Sequence, residues 1–397
     1  MNRLTAFVAA ALTAGASVLC LAPSAQAATQ RVTAADLGPA GPWLRIQDQP
    51  SSTNPPGVQE VSPFADPVHW NGSLHLAIGP GQQSQAAHFY TEAVPLSTVL
   101  GSEISYDSYV DSAHSTATGT GPSLQLPMFC DGAFTTLSFQ PQLATDAEGR
   151  HGVVPDIWQH WVSGPSGIWR TSRAVAGVPA GGDAPLNDFA EACTGDTSGV
   201  IGLIGNVGSL GDPTASLDTY VDNLTVNGTT YDFAVEGTAT ARVDLRHAST
   251  PEERARIDGT AVFHSPANGP EFVAPGARLA ISATTGPDPE DVHVTIDGVP
   301  AEVTSEDGHL VAQLPRSLAD RLLPGGTLTV PFTITITGDD GNANPSYGHS
   351  GYGGGGGGTG GGGGVEHGTV TVTAQLLARG YQPLQATDVS AAASIDF

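Results

Sequence analysis

The chain has 397 residues and carries 14 basic against 39 acidic side chains, a formal net charge of −25, and every basic residue is Arg. A carboxylate surplus with no Lys excludes a phosphate-backbone partner, which needs clustered cations, so no nucleic acid is expected. Gly (51) and Pro (30) stay below the level that signals general disorder, and a hydrophobic content of 39% suffices for the cores of two or three domains.

Residues 1–27 read as a secretory signal peptide. Arg3 opens it, an apolar stretch runs from Leu4 to Ala22, and Ala25-Gln26-Ala27 supplies the small residues for cleavage before Ala28. A membrane anchor fits less well, because Thr, Gly and Ser dilute the apolar run, and Leu19 before Cys20 is too large for a lipid-attachment box. No later stretch is apolar enough to span a bilayer, so no membrane insertion is expected after cleavage and the protein is expected to be secreted and extracellular.

From Ser73 onward, short alternating or β-rich runs recur between Gly, Pro, Asn and Asp, and almost nothing has helical periodicity. They include Ser73 to Ile78, Ala87 to Val94, Glu103 to Val110, Ser123 to Phe129, Phe134 to Phe139, Ile157 to Val162, Ile168 to Val175, Val200 to Gly205, Thr219 to Val226 and Thr230 to Val235. That density implies a two-sheet sandwich of the jelly-roll type. Pro185 to Cys193 is the one short helix expected there. Signal removal leaves Cys130 and Cys193, an even pair in an oxidising compartment, which is expected to form a disulfide.

A second series follows. Thr250-Pro251-Glu252-Glu253 has the cap, first-turn Pro and acids of a helical turn. Strands then read at Thr260 to His264, Arg278 to Thr284, Val292 to Ile296, Ala301 to Thr304, His309 to Leu314, Leu328 to Thr337, Thr369 to Leu377 and Ser390 to Phe397, with Asp297-Gly298 and Asp307-Gly308 as hairpin turns. Ser317 to Asp320 has capping-box spacing. The expected architecture is therefore all-β, a jelly-roll sandwich over residues 28–236 followed by a smaller Ig-like β-sandwich over 237–397. Between Gly351 and Gly364, 12 of 14 residues are Gly, so residues from about 347 to 365 are expected to form a disordered loop joining Leu328 to Thr337 and Thr369 to Leu377 as hairpin partners.

Two segments carry a family resemblance. His69-Trp70-Asn71-Gly72-Ser73-Leu74 and the closing Thr219-Tyr220-Val221-Asp222-Asn223-Leu224-Thr225-Val226, with its continuation to Phe233, resemble the concanavalin-like (laminin-G-like) jelly rolls of secreted bacterial proteins. Asp131-Gly132-Ala133-Phe134 and Trp158-Gln159-His160-Trp161 look like inner strands of such a domain, and the match spans about residues 31 to 236. The resemblance implies a sugar-binding or sugar-processing surface, and in other members inert architecture.

Candidate chemistry is sparse. A retaining glucanase needs two carboxylates on one strand face, whereas Glu103-Ile104-Ser105-Tyr106-Asp107 supplies acids four apart without a third. No Gly-x-Ser-x-Gly or His-Glu-x-x-His occurs, and Gly195-Asp196-Thr197-Ser198-Gly199 reads as a turn. No catalytic residue is assigned, and whether the chain is an enzyme is left open with the balance toward none. No cofactor is expected, calcium being the ion the carboxylates would suit. Asp218 and Asp222, on one side of the closing strand around Tyr220, are its candidate ligands, against the simpler reading of Asp218 in the turn and Asp222 bonded to a neighbouring loop. For function, Trp158, Trp161 and Trp169 lie on consecutive strands, and alternation puts Trp158 and Trp161 on opposite faces, so at most one of that pair is in the core and the other is either exposed to stack on a sugar or shielded by loops. Trp161, with Trp169 and His160, is the expected contact for a carbohydrate or cell-surface polymer. The alternatives are a glycan-active hydrolase or lyase and a structural extracellular spacer.

Overall fold

Alternating apolar and polar side chains become strand after strand in the computed structural model, which describes residues 27–50, 52–208, 212–248, 255–273, 276–283, 292–306, 309–313, 321–336, 369–377 and 390–396. The fold is all-β. In the first unit, one sheet runs in spatial order Ala28–Val32, Thr229–Phe233, Leu217–Val226, Ser73–Ile78 and Val58–Ser62, with Ser105–Val110 and then Gln159–Val162 added along Leu217–Val226. The facing sheet runs Asp183–Pro185, Ile168–Thr171, Ala133–Phe139, Ser123–Cys130, Gly199–Val207, Ser84–Val94 and Trp43–Arg45. Their inward side chains merge into one core that includes Leu74, Leu76, Leu126, Met128, Leu203 and Leu224. Ala28–Val32 pairs in parallel with Thr229–Phe233, so the start of this unit is zipped to its end. Three of its strands, at residues 28–32, 43–45 and 58–62, lie before the first run legible in the sequence.

Local chemistry explains the connections. Asp131 and Gly132, at φ 49° and 85°, make the tight turn joining Ser123–Cys130 to Ala133–Phe139, a conformation Asp and Gly tolerate. They are thus a turn and not an inner strand. The helix Leu186–Ala192 buries Leu186, Phe189 and Ala190 and delivers Cys193 to Cys130, and the two form a disulfide with Cα atoms 4.8 Å apart. Gly195 to Gly199 is a turn, closed by the Ser198 N–H donating to Gly195 O at 2.8 Å.

The second unit is also a sandwich. One sheet runs Thr240–His247, Ala255–His264, Thr327–Ile336, Val292–Ile296 and Val299–Ala301, and the other Val303–Glu306, His309–Gln313, Gly276–Ala283, Thr369–Leu377 and Ser390–Asp396. The expected pairing of Leu328 to Thr337 with Thr369 to Leu377 fails. The first belongs to one sheet, against Ala255–His264 and Val292–Ile296, and the second to the other, against Gly276–Ala283 and Ser390–Asp396. Alternating Thr marks a half-buried strand without naming its partner. Asp297-Gly298 is the expected hairpin turn, with φ 51° and 76°. The signal segment, the turns at 250–253, 307–308 and 317–320, and the Gly-rich loop lie outside the described residues.

The loop of residues 63–72 belongs to both units. Phe64 bridges Glu271, the Ala65 N–H donates to Glu271 O at 2.8 Å, and Trp70 stacks on Phe272 with centroids 5.7 Å apart. Ala65 and Trp70 are buried in the core of the second sandwich, together with Phe263, Phe272 and Leu322.

Candidate functional site

Two of the three expected sugar contacts, Trp161 and Trp169, lie in the core. Trp161 and Trp169 are both 0% exposed. Their indole N–H groups donate inward, to Ser108 Oγ at 2.9 Å and to Ser163 Oγ at 2.8 Å, and Phe139 packs against both rings. Alternation does place Trp158 opposite Trp161, but Trp158 is 9% exposed, covered by Phe64 and Tyr109. The loop of residues 63–72 thus shields the indole that strand alternation leaves outside the core. His160 has a side chain 34% exposed, with Nδ1 2.9 Å from Asp107 Oδ1. Burial lowers its pKa, but the hydrogen bond and charge of Asp107, with Glu103 and Glu148 beyond, outweigh burial and hold it above the ordinary value.

A groove lies instead on the outer face of the second jelly-roll sheet. Its volume is about 650 Å³, and its lining includes Gln83, Gln85, Ser123, Gln125, Thr136 and Asn206. These positions alternate with core residues along their strands, so the pleat turns them all to one side. Two rows of amides cross the strands. In one, Gln47 Nε2 donates to Gln85 Oε1 at 2.9 Å and Gln85 Nε2 to Gln125 Oε1 at 3.2 Å. In the other, Asn54 Nδ2 donates to Gln83 Oε1, Gln83 Nε2 to Asn206 Oδ1, and Asn206 Nδ2 to Ser123 Oγ at 2.6, 3.3 and 3.1 Å. Each primary amide in such a row keeps a second N–H and a second lone pair for another partner. Phe89, 41% exposed, sits at the same face. The one charged lining residue, Arg170, is neutralised outside the groove by a two-point hydrogen bond to Asp183 at 2.9 and 2.8 Å. Among the described lining residues there is no Asp, Glu or His.

A second constellation sits at the seam of the other sheet. Along Leu217–Val226 the neighbour changes from Ser73–Ile78 to Thr229–Phe233, and the register with Ser105–Val110 slips between Asp222 and Thr225, where Asn223 adopts φ 51°. That irregularity buries both Asp222 and Asn223. Asp222 Oδ1 accepts the N–H groups of Asn223 and Phe233 at 2.6 and 2.9 Å, while Asp222 Oδ2 and Asn71 Oδ1 are buried without a donor among the described residues. Asp66 enters from the 63–72 loop, its Oδ1 accepting from Val68 N and His69 N at 2.8 and 2.7 Å. Asp232 enters from the last strand and accepts Asn71 Nδ2 at 2.9 Å. One carboxylate oxygen from each of Asp66, Asp222 and Asp232 lies within 4.8 Å of the other two. Burial, then the charge of Asp232, pushes Asp66 up to about 6, and burial, then Asp66 and Asp232, raises Asp222 well above the usual carboxylate range. Asn223 Nδ2 ties the cluster to Asp66 Oδ1 and to the buried Asp107, at Oδ2, at 3.2 and 2.9 Å.

Asp218 is not part of this cluster. Four residues along an extended strand put it about 13 Å from Asp222, and its Oδ1 pairs with His75 Nε2 at 2.9 Å. Of the two expected calcium ligands, the structure keeps Asp222 among carboxylates and gives Asp218 a different partner. Asp66 and Asp232 were missed, since neither stands in a recognisable ligand spacing. The usable signal was the Asp222-Asn223 pair, because Asn accepts a left-handed backbone and so marks an interruption of the closing strand.

No family model matches the chain, and no curated protein matches it. Among solved structures, the C-terminal domain of the Streptococcus pyogenes antigen I/II-family protein AspA overlaps 85% of this chain and 98% of its own at 10% identity and a TM-score of 0.23. The N-terminal domain of the Streptococcus gordonii adhesin Sgo0707 overlaps 79% and 60% at 7% identity and a TM-score of 0.19. Scores this low carry no argument about function. Among the described residues, no helix is long and apolar enough to cross a membrane.

Proposed function

We propose that the chain is a secreted, non-enzymatic two-domain β protein, with domains at residues 28–236 and 237–397, that binds a neutral glycan or similar hydroxyl-rich cell-surface polymer in the groove of its jelly roll. One observation carries this reading. In a chain of net charge −25, an open groove of about 650 Å³ carries no carboxylate among its described lining residues, and beside apolar residues and the Asp183-paired Arg170 it presents neutral amides, hydroxyls and the exposed Phe89 ring. Rows of amides offer both donors and acceptors, as a polyhydroxylated chain requires, and Phe89 offers a flat apolar surface for a sugar face. The resemblance of Tyr220 to Val226 to concanavalin-like jelly rolls supports the same class of ligand. A proton donor and a base would be needed for glycan hydrolysis, and the described lining supplies neither.

A glycan array probed with the secreted protein, followed by titration of the best ligand, tests the proposal. Neutral oligosaccharides are expected to bind, and Gln85→Ala and Phe89→Ala should each weaken binding by about fivefold to tenfold, the loss of one hydrogen bond or one stacking contact. Binding restricted to charged glycans, or unaffected by both substitutions, would overturn it. No binding to any glycan would leave the spacer reading in its place.

A further inference from the structure

We propose that Asp66, Asp222 and Asp232 hold one calcium ion, with Asn71 as an additional oxygen donor, and that this ion latches the loop of residues 63–72 that joins the two sandwiches. The inference is independent of the groove.

The donor set is entirely oxygen: three carboxylates drawn together from three separate parts of the chain, with the amide oxygen of Asn71 beside them. Oxygens bound to a single calcium at about 2.3–2.6 Å lie no more than about 5.2 Å apart, and the three carboxylate oxygens here lie within 4.8 Å of one another. Proximity of acids alone would mean little. The independent observation is Asp222 Oδ2, an oxygen on a side chain with no exposed surface, to which no described group donates. Its partner oxygen is already used by two backbone N–H groups, so the carboxylate is held fast while one oxygen is left over. An ionised carboxylate oxygen buried without a partner costs several kcal/mol, a cost that a bound cation or a bound proton removes. Asn71 Oδ1 is a second buried oxygen without a donor, and its own Nδ2 binds Asp232, which places the amide at the cluster. Oxygen-only ligation with no His or Cys donor in the set suits a hard cation such as calcium better than zinc.

The latch follows from where Asp66 stands. Part of the loop faces the other way: Ala65 and Trp70 are in the core of the second sandwich, and Pro63 O and the Ala65 N–H hydrogen-bond the backbone of Glu271. Asp66 is turned to the first sandwich beside the closing strand and the last strand, where the Phe64 ring, stacked on Tyr220, and Asn71, bonded to Asp232, also lie. An ion shared by Asp66, Asp222 and Asp232 therefore fastens the loop to the jelly roll at the point where the loop also grips its neighbour. Without the ion, mutual repulsion of the carboxylates acts on the loop, the one member of the three not held in a sheet.

The test uses the full mature protein. Purified chain, stripped with chelator and dialysed against calcium chloride, is expected to bind one calcium per chain by elemental analysis, to melt at a higher temperature in calcium than in chelator, and to resist protease cleavage within residues 63–72 only when calcium is present. Asp222→Asn should weaken calcium binding by about tenfold or more, while Asp218→Asn, in the His75 pair, should leave it unchanged. If Asp222→Asn does not fold, the wild-type stoichiometry and melting shift decide the site by themselves. No bound ion and no melting shift at millimolar calcium would overturn the site, and the same stoichiometry and shift with magnesium chloride would overturn its assignment to calcium. Calcium binding that leaves loop cleavage unchanged would overturn the latch.

Discussion

Trp161 donates its indole N–H to the Ser108 hydroxyl at 2.9 Å across two paired strands, and none of its surface reaches solvent. The ring packs against Phe139 in the core that the two sheets enclose. Trp161→Ala is therefore expected to cost about 3–5 kcal/mol, read as a lower denaturant midpoint with an unchanged slope. Trp161→Phe should cost less, losing part of the volume and leaving Ser108 Oγ without its donor. A Trp161→Ala protein with wild-type stability would show the ring to be dispensable to the core.

The same residue shows what the sequence could and could not reveal. Strand alternation correctly set Trp158 and Trp161 on opposite faces, because a period of two follows from backbone geometry alone. It could not say that Phe64, from a loop nearly a hundred residues earlier, would cover Trp158. Strand positions and the Cys130 to Cys193 pairing were legible for the same local or combinatorial reasons. The amide rows were not, because Gln85, Gln125 and Asn206 become neighbours only through the order in which their strands pair. Read singly, each is an ordinary outward-facing polar residue. Asp66, Asp222 and Asp232 likewise meet only where one neighbour of the closing strand is exchanged for another.

The disulfide between Cys130 and Cys193 spans a sequence separation of 63 residues, tying the turn after Ser123–Cys130 to the end of the helix Leu186–Ala192. Constraining a loop of that length in the unfolded chain contributes about 4 kcal/mol. The double variant Cys130→Ala, Cys193→Ala should lose about 2–5 kcal/mol of stability, and thiol titration of the unfolded wild type should find no free thiol until a reductant is added. Two thiols titrating without reductant would contradict the bridge.

His160 gives the first sandwich a pH dependence. Its pKa is held above 6.5 in the folded protein by Asp107 against the opposing effect of burial. A raised folded-state value means that protonation favours the native state, so the stabilisation is complete below about pH 6.5 and is lost as pH rises through the folded value. Melting temperatures of the wild type and of His160→Gln should accordingly converge at alkaline pH and separate as the solution is acidified toward pH 6, with the wild type higher. A constant difference across that range would mean that the His160 to Asp107 contact stabilises without its charge.

Gly259 sits in the middle of the strand Ala255–His264, directly opposite Phe332. A Cβ built on Gly259 would lie 2.1 Å from Phe332 Cζ and 2.3 Å from Cε2, so the ring lies flat over the bare backbone. Backbone preference and packing predict opposite signs here. Replacing a strand glycine by alanine removes conformational freedom from the unfolded chain and would stabilise by about 0.5–1 kcal/mol. Displacing a buried ring from its rotamer costs about 1–3 kcal/mol, and Phe332 is buried against Ile257 and the rest of the second core. Packing is the larger effect, so Gly259→Ala should destabilise the second sandwich. The cause can be isolated by a double-mutant cycle with Phe332→Ala. If the clash is responsible, Gly259→Ala should be destabilising beside Phe332 and neutral or stabilising once the ring is gone, giving a coupling energy well above the few tenths of a kcal/mol seen for independent sites. A penalty that is the same in both backgrounds would place its origin in the backbone of the strand and not in the ring above it.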